Sequence, residues 1–227
     1  MSTLPRHAAI VVAGGACDED TSATLPDGLP ADAFIIAADS GLLRAEALGL
    51  RVDLVVGDLD SVSQAAITAA EAAGIPIERH STQKDSTDLE LALDAAITRG
   101  ARHIIVIGGD GAGKGSRLDH LLANILLLGS RAYAQTVLEA YLGPAHLAVV
   151  HAGSSIELHG AIGTLCSIVP IGGPATVRTI GLRYPMDDVT LPASTTLGVS
   201  NEFSEAIATI STSAGTALVV QPDFRSS

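Results

Sequence analysis

The first residues in this sequence whose spacing suggests chemistry are carboxylates. Asp58 and Asp60 stand two apart in Gly57-Asp58-Leu59-Asp60-Ser61, so in an extended segment both side chains point the same way. Two like charges held side by side repel unless a cation lies between them. A hard ion such as Mg2+ takes one or two carboxylates together with substrate phosphates and water. The competing reading makes Asp60 or Ser61 the cap of a helix over Ser63–Ala73, which accounts for one acid but not for both. A second acidic run is Lys84-Asp85-Ser86-Thr87-Asp88-Leu89-Glu90. Here Thr87 and Glu90 form a capping box, and Asp88 falls in the first helical turn, where the helix dipole favours negative charge. A third acid, Asp39, opens Asp39-Ser40-Gly41.

The next feature is a glycine-rich run from Gly108 to Gly115, closing on Ser116-Arg117-Leu118-Asp119-His120. Such a run lets backbone N–H groups approach phosphate oxygens closely. Gly108 to Lys114 fits the first part of a Walker A motif, but Gly115 stands where that motif requires a metal-binding Ser or Thr. The dinucleotide fingerprint G-x-G-x-x-G is also missing, which argues against a nicotinamide-linked oxidoreductase. Arg117 is the natural local cation for a nucleotide phosphate. His120, at a helix start, reads as a capping or surface histidine.

These residues need elements to position them. From residue 8 to about 140, β-rich runs (Ala8–Ala13, Phe34–Ala38, Asp53–Gly57, Ile75–Glu78, His103–Ile107) alternate with helical stretches (Leu42–Leu48, Ser63–Ala73, Leu89–Thr98, Leu118–Leu128). Continuous apolar strands separated by amphipathic helices indicate an open parallel sheet with helices on both faces, a Rossmann-like α/β arrangement. In such a sheet, ligands sit beyond the carboxyl ends of the strands, where Asp39, Asp58, Asp60 and the Asp85–Asp88 cluster all fall. After Gly143-Pro144 short runs such as Leu147–Val150, Leu165–Val169, Ala175–Val177 and Ala217–Val220 are punctuated by Gly, Pro, Ser and Thr. That pattern predicts a small antiparallel β-sandwich. The expected domains are residues 1–143 and 144–227.

Composition narrows the partners. Asp and Glu outnumber Lys and Arg by 25 to 13, for a net charge of −12, and such a surface repels nucleic acid. No apolar run approaches the ~20 residues that span a bilayer. A cytoplasmic protein with no membrane partner is expected. Cys17 and Cys166 match no zinc or redox spacing and read as buried reduced thiols.

Taken together, Ala38-Asp39-Ser40-Gly41, Gly57-Asp58-Leu59-Asp60-Ser61, Lys84-Asp85-Ser86-Thr87-Asp88, Ser116-Arg117-Leu118-Asp119-His120 and the late Ser200-Asn201-Glu202 resemble, in order, the motifs of the thiamine pyrophosphokinase family. Ser40 stands where that family has Gly, and Leu59 where it has Phe. The resemblance implies an enzyme that moves a pyrophosphoryl group from ATP to thiamine, with Mg2+, as a homodimer that binds thiamine between subunits. By position, Asp58, Asp60 and Asp88 would hold the metal and serve catalysis with Arg117 and Asp119. Asp39, Asp85, Thr87 and Arg117 would bind or order the nucleotide, and Gly198, Ser200 and Asn201 would hold the thiamine pyrimidine. Asp119 and Asp85 are both candidates to accept the thiamine hydroxyl proton. Some relatives stack thiamine on a Trp, which this chain lacks. Tyr133, Tyr141, Tyr184 and Phe203 are the aromatic replacements on offer. Two rival readings remain: another metal-dependent nucleotide kinase, and a non-catalytic binder on the same fold.

Overall fold

A computed structural model describes residues 7–14, 25–26, 28–83, 85–109 and 117–224. Cys17, Lys84 and the glycine-rich stretch 110–116 lie outside the described residues. The chain divides into two units, one ending at Asn124 and the other beginning at Ile125.

In the first unit the apolar runs become β1 (Ala8–Ala13), β2 (Phe34–Ala38), β3 (Leu54–Gly57), β4 (Ile77–Arg79) and β5 (His103–Ile107). They pair in parallel in the order β5-β1-β2-β3-β4. Residues Ala9 to Ala13 of β1 are all buried, so both faces of this strand are covered, as the unbroken hydrophobic runs require. The helices are α1 (Gly41–Ala47), α2 (Gln64–Ala72), α3 (Asp88–Thr98) and α4 (Leu118–Leu128). The buried face of α3, Leu89, Ala92, Leu93 and Ala96, packs on β1, β2 and β3. The strand order reverses between β1 and β5. Their carboxyl ends flank the crevice where an open α/β sheet binds its ligand.

The second unit is β throughout apart from the end of α4 and a short 3-10 turn at Arg131–Tyr133. One antiparallel sheet has β6 (Val137–Leu142), β7 (Ala145–His151), β9 (Leu165–Pro170), β12 (Asn201–Glu202) and β14 (Thr216–Gln221), in the order β12-β9-β14-β7-β6. The other has β8 (Ser154–His159), β10 (Ala175–Ile180), β11 (Val189–Leu191) and β13 (Ile207–Ala214), in the order β11-β10-β13-β8. Between them lies a core that includes Val150, Leu158, Ile168, Val177, Leu191, Phe203, Ile210 and Val219. Cys166 is in this core, and burial pushes its thiol up to about 12.

Gly143-Pro144, where the expected domain boundary falls, forms the tight turn of the β6–β7 hairpin. Gly143 has φ +58, the left-handed conformation that such a turn demands and glycine adopts freely. A Gly-Pro pair marks a sharp reversal of the chain, and a reversal inside a hairpin has the same composition as a linker.

Candidate active site

The parallel pairing of β2 with β3 sets Ala38 beside Val56, so the acids that follow each strand emerge together. The Asp39 N–H donates to the Val56 carbonyl at 2.9 Å, closing that end of the ladder. Carboxylate oxygens of Asp39, Asp58 and Asp60 lie within 4.8 Å of one another. Two residues are wound into left-handed backbone to achieve this, Asp39 at φ +48 and Leu59 at φ +63. Aspartate tolerates this conformation better than most residues, whereas leucine adopts it only when its surroundings enforce it. At Leu59 the enforcing contact is burial, since its side chain is 5 % exposed. Gly57 is equally constrained: a Cβ there would come 3.0 Å from Asp88 Oδ1 and 3.2 Å from Asp39 Cβ. A residue without a side chain at 57 is what lets Asp88, at the start of α3, close on the same spot.

Asp39 is only 9 % exposed, and its Oδ1 is buried without a hydrogen-bond partner among the described residues. Burial raises its carboxyl above the ordinary value, and the nearby charges of Asp88 and Asp58 push the same way. The Ser40 backbone N–H opposes them, as does Ser61, whose hydroxyl also donates to Asp60 Oδ1 at 2.9 Å. A buried oxygen with no donor, in a group of carboxylates that repel one another, suits a hard divalent cation. The residues present therefore fit Mg2+, with Asp39 joining Asp58 and Asp60 in the group and Asp88 beside it.

The capping alternative fails for Asp60 and Ser61. The cap of α2 is Ser63, whose Oγ accepts from the Ala66 N–H at 3.2 Å. Asp58 instead braces its own loop, its Oδ1 accepting the Asp60 N–H at 3.2 Å. Thr87 caps α3 as its sequence suggests, accepting from the Glu90 N–H at 3.3 Å. Asp85 is exposed.

Arg117, at the entrance to α4, grips Asp119 in a fork. Its Nε lies 2.9 Å from Oδ1 and its Nη2 lies 2.7 Å from Oδ2. That pairing holds the Asp119 carboxyl far below the usual range. While it holds this pair, the Asp119 carboxylate is a weak base. Both side chains are exposed, so the pair orients Arg117 more than it stabilises the fold.

Gly198, Ser200 and Asn201 belong to the second unit. The Gly198 carbonyl accepts from the Ile168 N–H at 2.8 Å, and a Cβ at 198 would strike the Ile168 carbonyl. Ser200 is exposed at φ +60, its N–H donating to Ser167 Oγ at 3.0 Å. Asn201 is buried and clamps the backbone of Tyr184: its Oδ1 accepts from the Tyr184 N–H at 3.0 Å and its Nδ2 donates to the Tyr184 carbonyl at 2.8 Å. Of the aromatic candidates, Tyr133 and Phe203 are in the core, and Tyr141 stacks on His146. Tyr184 is 57 % exposed.

Sequence reasoning passed over Asn124, which donates from Nδ2 to the Gly109 carbonyl at 3.2 Å. The available signal was a single amide in the otherwise apolar run Leu121-Leu122-Ala123-Asn124-Ile125-Leu126-Leu127-Leu128.

Comparison with known proteins gives this arrangement its family. The model of the thiamin pyrophosphokinase catalytic domain matches residues 28–139, and that of the thiamin pyrophosphokinase vitamin B1 binding domain matches residues 154–217. Thiamine pyrophosphokinase of Bacillus subtilis (strain 168) is 26 % identical over 184 residues, spanning 81 % of this chain and 80 % of that protein. Thiamine pyrophosphokinase 1 of Oryza sativa subsp. japonica is 28 % identical over 193 residues, spanning 79 % and 67 %. The crystal structure of thiamin pyrophosphokinase from Geobacillus thermodenitrificans superposes with a TM-score of 0.75 at 27 % identity, covering 97 % of this chain and 99 % of that one. With both family domains matched in order, the chain belongs to the thiamin pyrophosphokinase family.

Proposed function

We propose that the chain transfers a pyrophosphoryl group from ATP to the hydroxyl of thiamine, giving thiamine diphosphate and AMP. The observation that carries this reading is the convergence of Asp39, Asp58 and Asp60, with Asp88 alongside, at the carboxyl ends of parallel strands. In the reaction the thiamine oxygen forms a bond to the β-phosphorus, the bond from that phosphorus to the oxygen bridging to the α-phosphorus breaks, and AMP leaves with the bridging oxygen. Mg2+, which Asp39, Asp58 and Asp60 with Asp88 would hold, supplies charge neutralisation at the phosphate oxygens. The chain's own part is positioning. Arg117, steadied by Asp119, offers two N–H groups to a phosphate, and Thr87 orders the turn that carries Asp88. The thiamine proton leaves late in a loose transition state, so a strong base is not needed. Asp85 and Asp119, both exposed, are the carboxylates offered as its acceptor.

The segment Gly198-Val199-Ser200-Asn201 is assigned to the pyrimidine, with Asn201 acting through the backbone it clamps. Tyr184 is the aromatic surface for thiamine where some relatives use Trp. The working form is a homodimer in the cytoplasm. No described helix is long and apolar enough to cross a membrane.

The test is to incubate the chain with ATP, Mg2+ and thiamine and identify the nucleotide released. AMP and thiamine diphosphate in equal amounts are expected. Thiamine-independent release of ADP as the main activity would overturn the reading in favour of a different nucleotide kinase.

A further inference from the structure

Where β5 ends, the chain turns through two successive left-handed glycines, Gly108 at φ +85 and Gly109 at φ +77. Gly108 has no room for a side chain and Gly109 has little. A Cβ on Gly108 would lie 2.8 Å from the Ala13 carbonyl oxygen and 2.8 Å from Arg44 Nε, and one on Gly109 would lie 3.0 Å from Asn124 Nδ2. Glycine has the largest conformational freedom to lose, so a glycine pair does not hold such a turn unaided. Among the described residues, two hydrogen bonds hold this one. The Gly109 N–H donates to the Gly14 carbonyl at 3.1 Å, tying the end of β5 to the end of β1. The Gly109 carbonyl accepts from Asn124 Nδ2 at 3.2 Å.

Asn124 is an odd residue for its place. It is a modest helix former within a helix of Leu, Ala and Ile, and its amide reaches back fifteen residues to a carbonyl that no helix bond involves. That carbonyl sits at the reversal of strand order, where an anionic ligand is expected. Left alone, its negative end could swing toward the phosphates and repel them. Bound to Asn124, it cannot.

We infer that Asn124 is a positioning residue for the nucleotide: by capturing the Gly109 carbonyl it keeps the Gly108-Gly109 turn in the orientation that admits a polyphosphate. This rests on the proposed use of ATP but is separable from the choice of acceptor.

The test compares Asn124→Asp, which keeps the size but replaces the N–H donor with a carboxylate oxygen, and Asn124→Leu, which suits the apolar helix. The probe is α,β-methylene ATP with Mg2+, whose carbon bridge blocks the bond that would break. By titration calorimetry its dissociation constant should rise about tenfold in Asn124→Leu, the effect of one lost hydrogen bond, and more in Asn124→Asp. Thiamine affinity should stay within about twofold. In steady state the KM for ATP should rise in proportion while kcat holds within about threefold. Unchanged nucleotide affinity in a folded variant would overturn the inference, as would parallel losses for nucleotide and thiamine, which report general loosening. If neither variant folds, the unsubstituted chain still decides. The Asn124 side-chain amide protons should exchange more slowly with solvent once α,β-methylene ATP binds, and unaltered exchange counts against the inference. A failure of the wild-type chain to make AMP would sink the proposed reaction and leave these titrations readable.

Discussion

Asp58 has two duties that a single substitution separates. Its Oδ1 accepts the Asp60 N–H, and its charge contributes to the carboxylate group. Asparagine keeps the acceptor and loses the charge. Asp58→Asn should therefore fold as well as the wild type, with thermal stability without metal unchanged or slightly raised, because a repulsion is relieved. Turnover at saturating Mg2+ should fall by about 100-fold or more, since neutralising charge at the phosphates is the main catalytic contribution. Melting curves beside steady-state rates check both halves, and wild-type turnover would remove the metal assignment. Tyr184→Ala should raise the KM for thiamine by about tenfold with the KM for ATP unchanged, the loss of one stacking surface. A different residue governs pH. His151 is buried, Nδ1 bonds to Thr216 Oγ1 at 3.0 Å, and Nε2 has no partner among the described residues. Burial, reinforced by Arg131, pulls its pKa below the ordinary 6.5. A histidine depressed in the fold stabilises above its unfolded value and loses that contribution as pH falls. The urea midpoint should therefore decline from about pH 6.5 downward, and His151→Asn should flatten that decline.

At the scale of elements, two caps that look alike carry different loads. Ser63 caps α2 and Thr87 caps α3, and replacing either with Ala should cost about 1 kcal/mol of stability. The consequences for rate should differ. Ser63→Ala touches no proposed site residue and should leave turnover intact. Thr87→Ala frees the first turn of α3, which carries Asp88 toward Gly57 and Asp39, and should lower turnover by about tenfold. Thr87→Ser, which keeps the hydroxyl, should restore both properties. Chemical denaturation and initial rates on the three variants distinguish these outcomes.

At the scale of the whole molecule, the chain is proposed to work as a pair. Light scattering at assay concentration should report twice the chain mass of 23.0 kDa. A monomer with full activity would rule out a thiamine site shared between subunits. The net charge of −12 bears on the ligands. It favours a cationic acceptor such as thiamine, and the proposed use of ATP calls for compensating positive charge such as that of Arg117.

Much of this was legible without coordinates, and the boundary is physical. The strands of the first unit are unbroken apolar runs and its helices carry a regular apolar face, so local periodicity alone located β1, β2, β5, α3 and α4 closely. The acids were conspicuous because carboxylates two apart, and carboxylates at strand ends, have few structural uses. Local pattern could not say that Asp39 completes the group with Asp58 and Asp60, because that depends on the parallel register of β2 against β3, a pairing between residues far apart in the chain. It missed β8 and β13, whose many Ser and Thr residues, one of them the buried Thr212, dilute the apolar signal, although Leu158, Ala208 and Ile210 belong to the sandwich core. It could not say that Gly143-Pro144 forms a hairpin turn, since turns and linkers draw on the same residues. Asn201 and Asn124 were indistinct for the same reason: an amide's role is set by what its fixed reach meets, the Tyr184 backbone in one case and the Gly109 carbonyl in the other, and only the folded chain brings those partners within 3.2 Å.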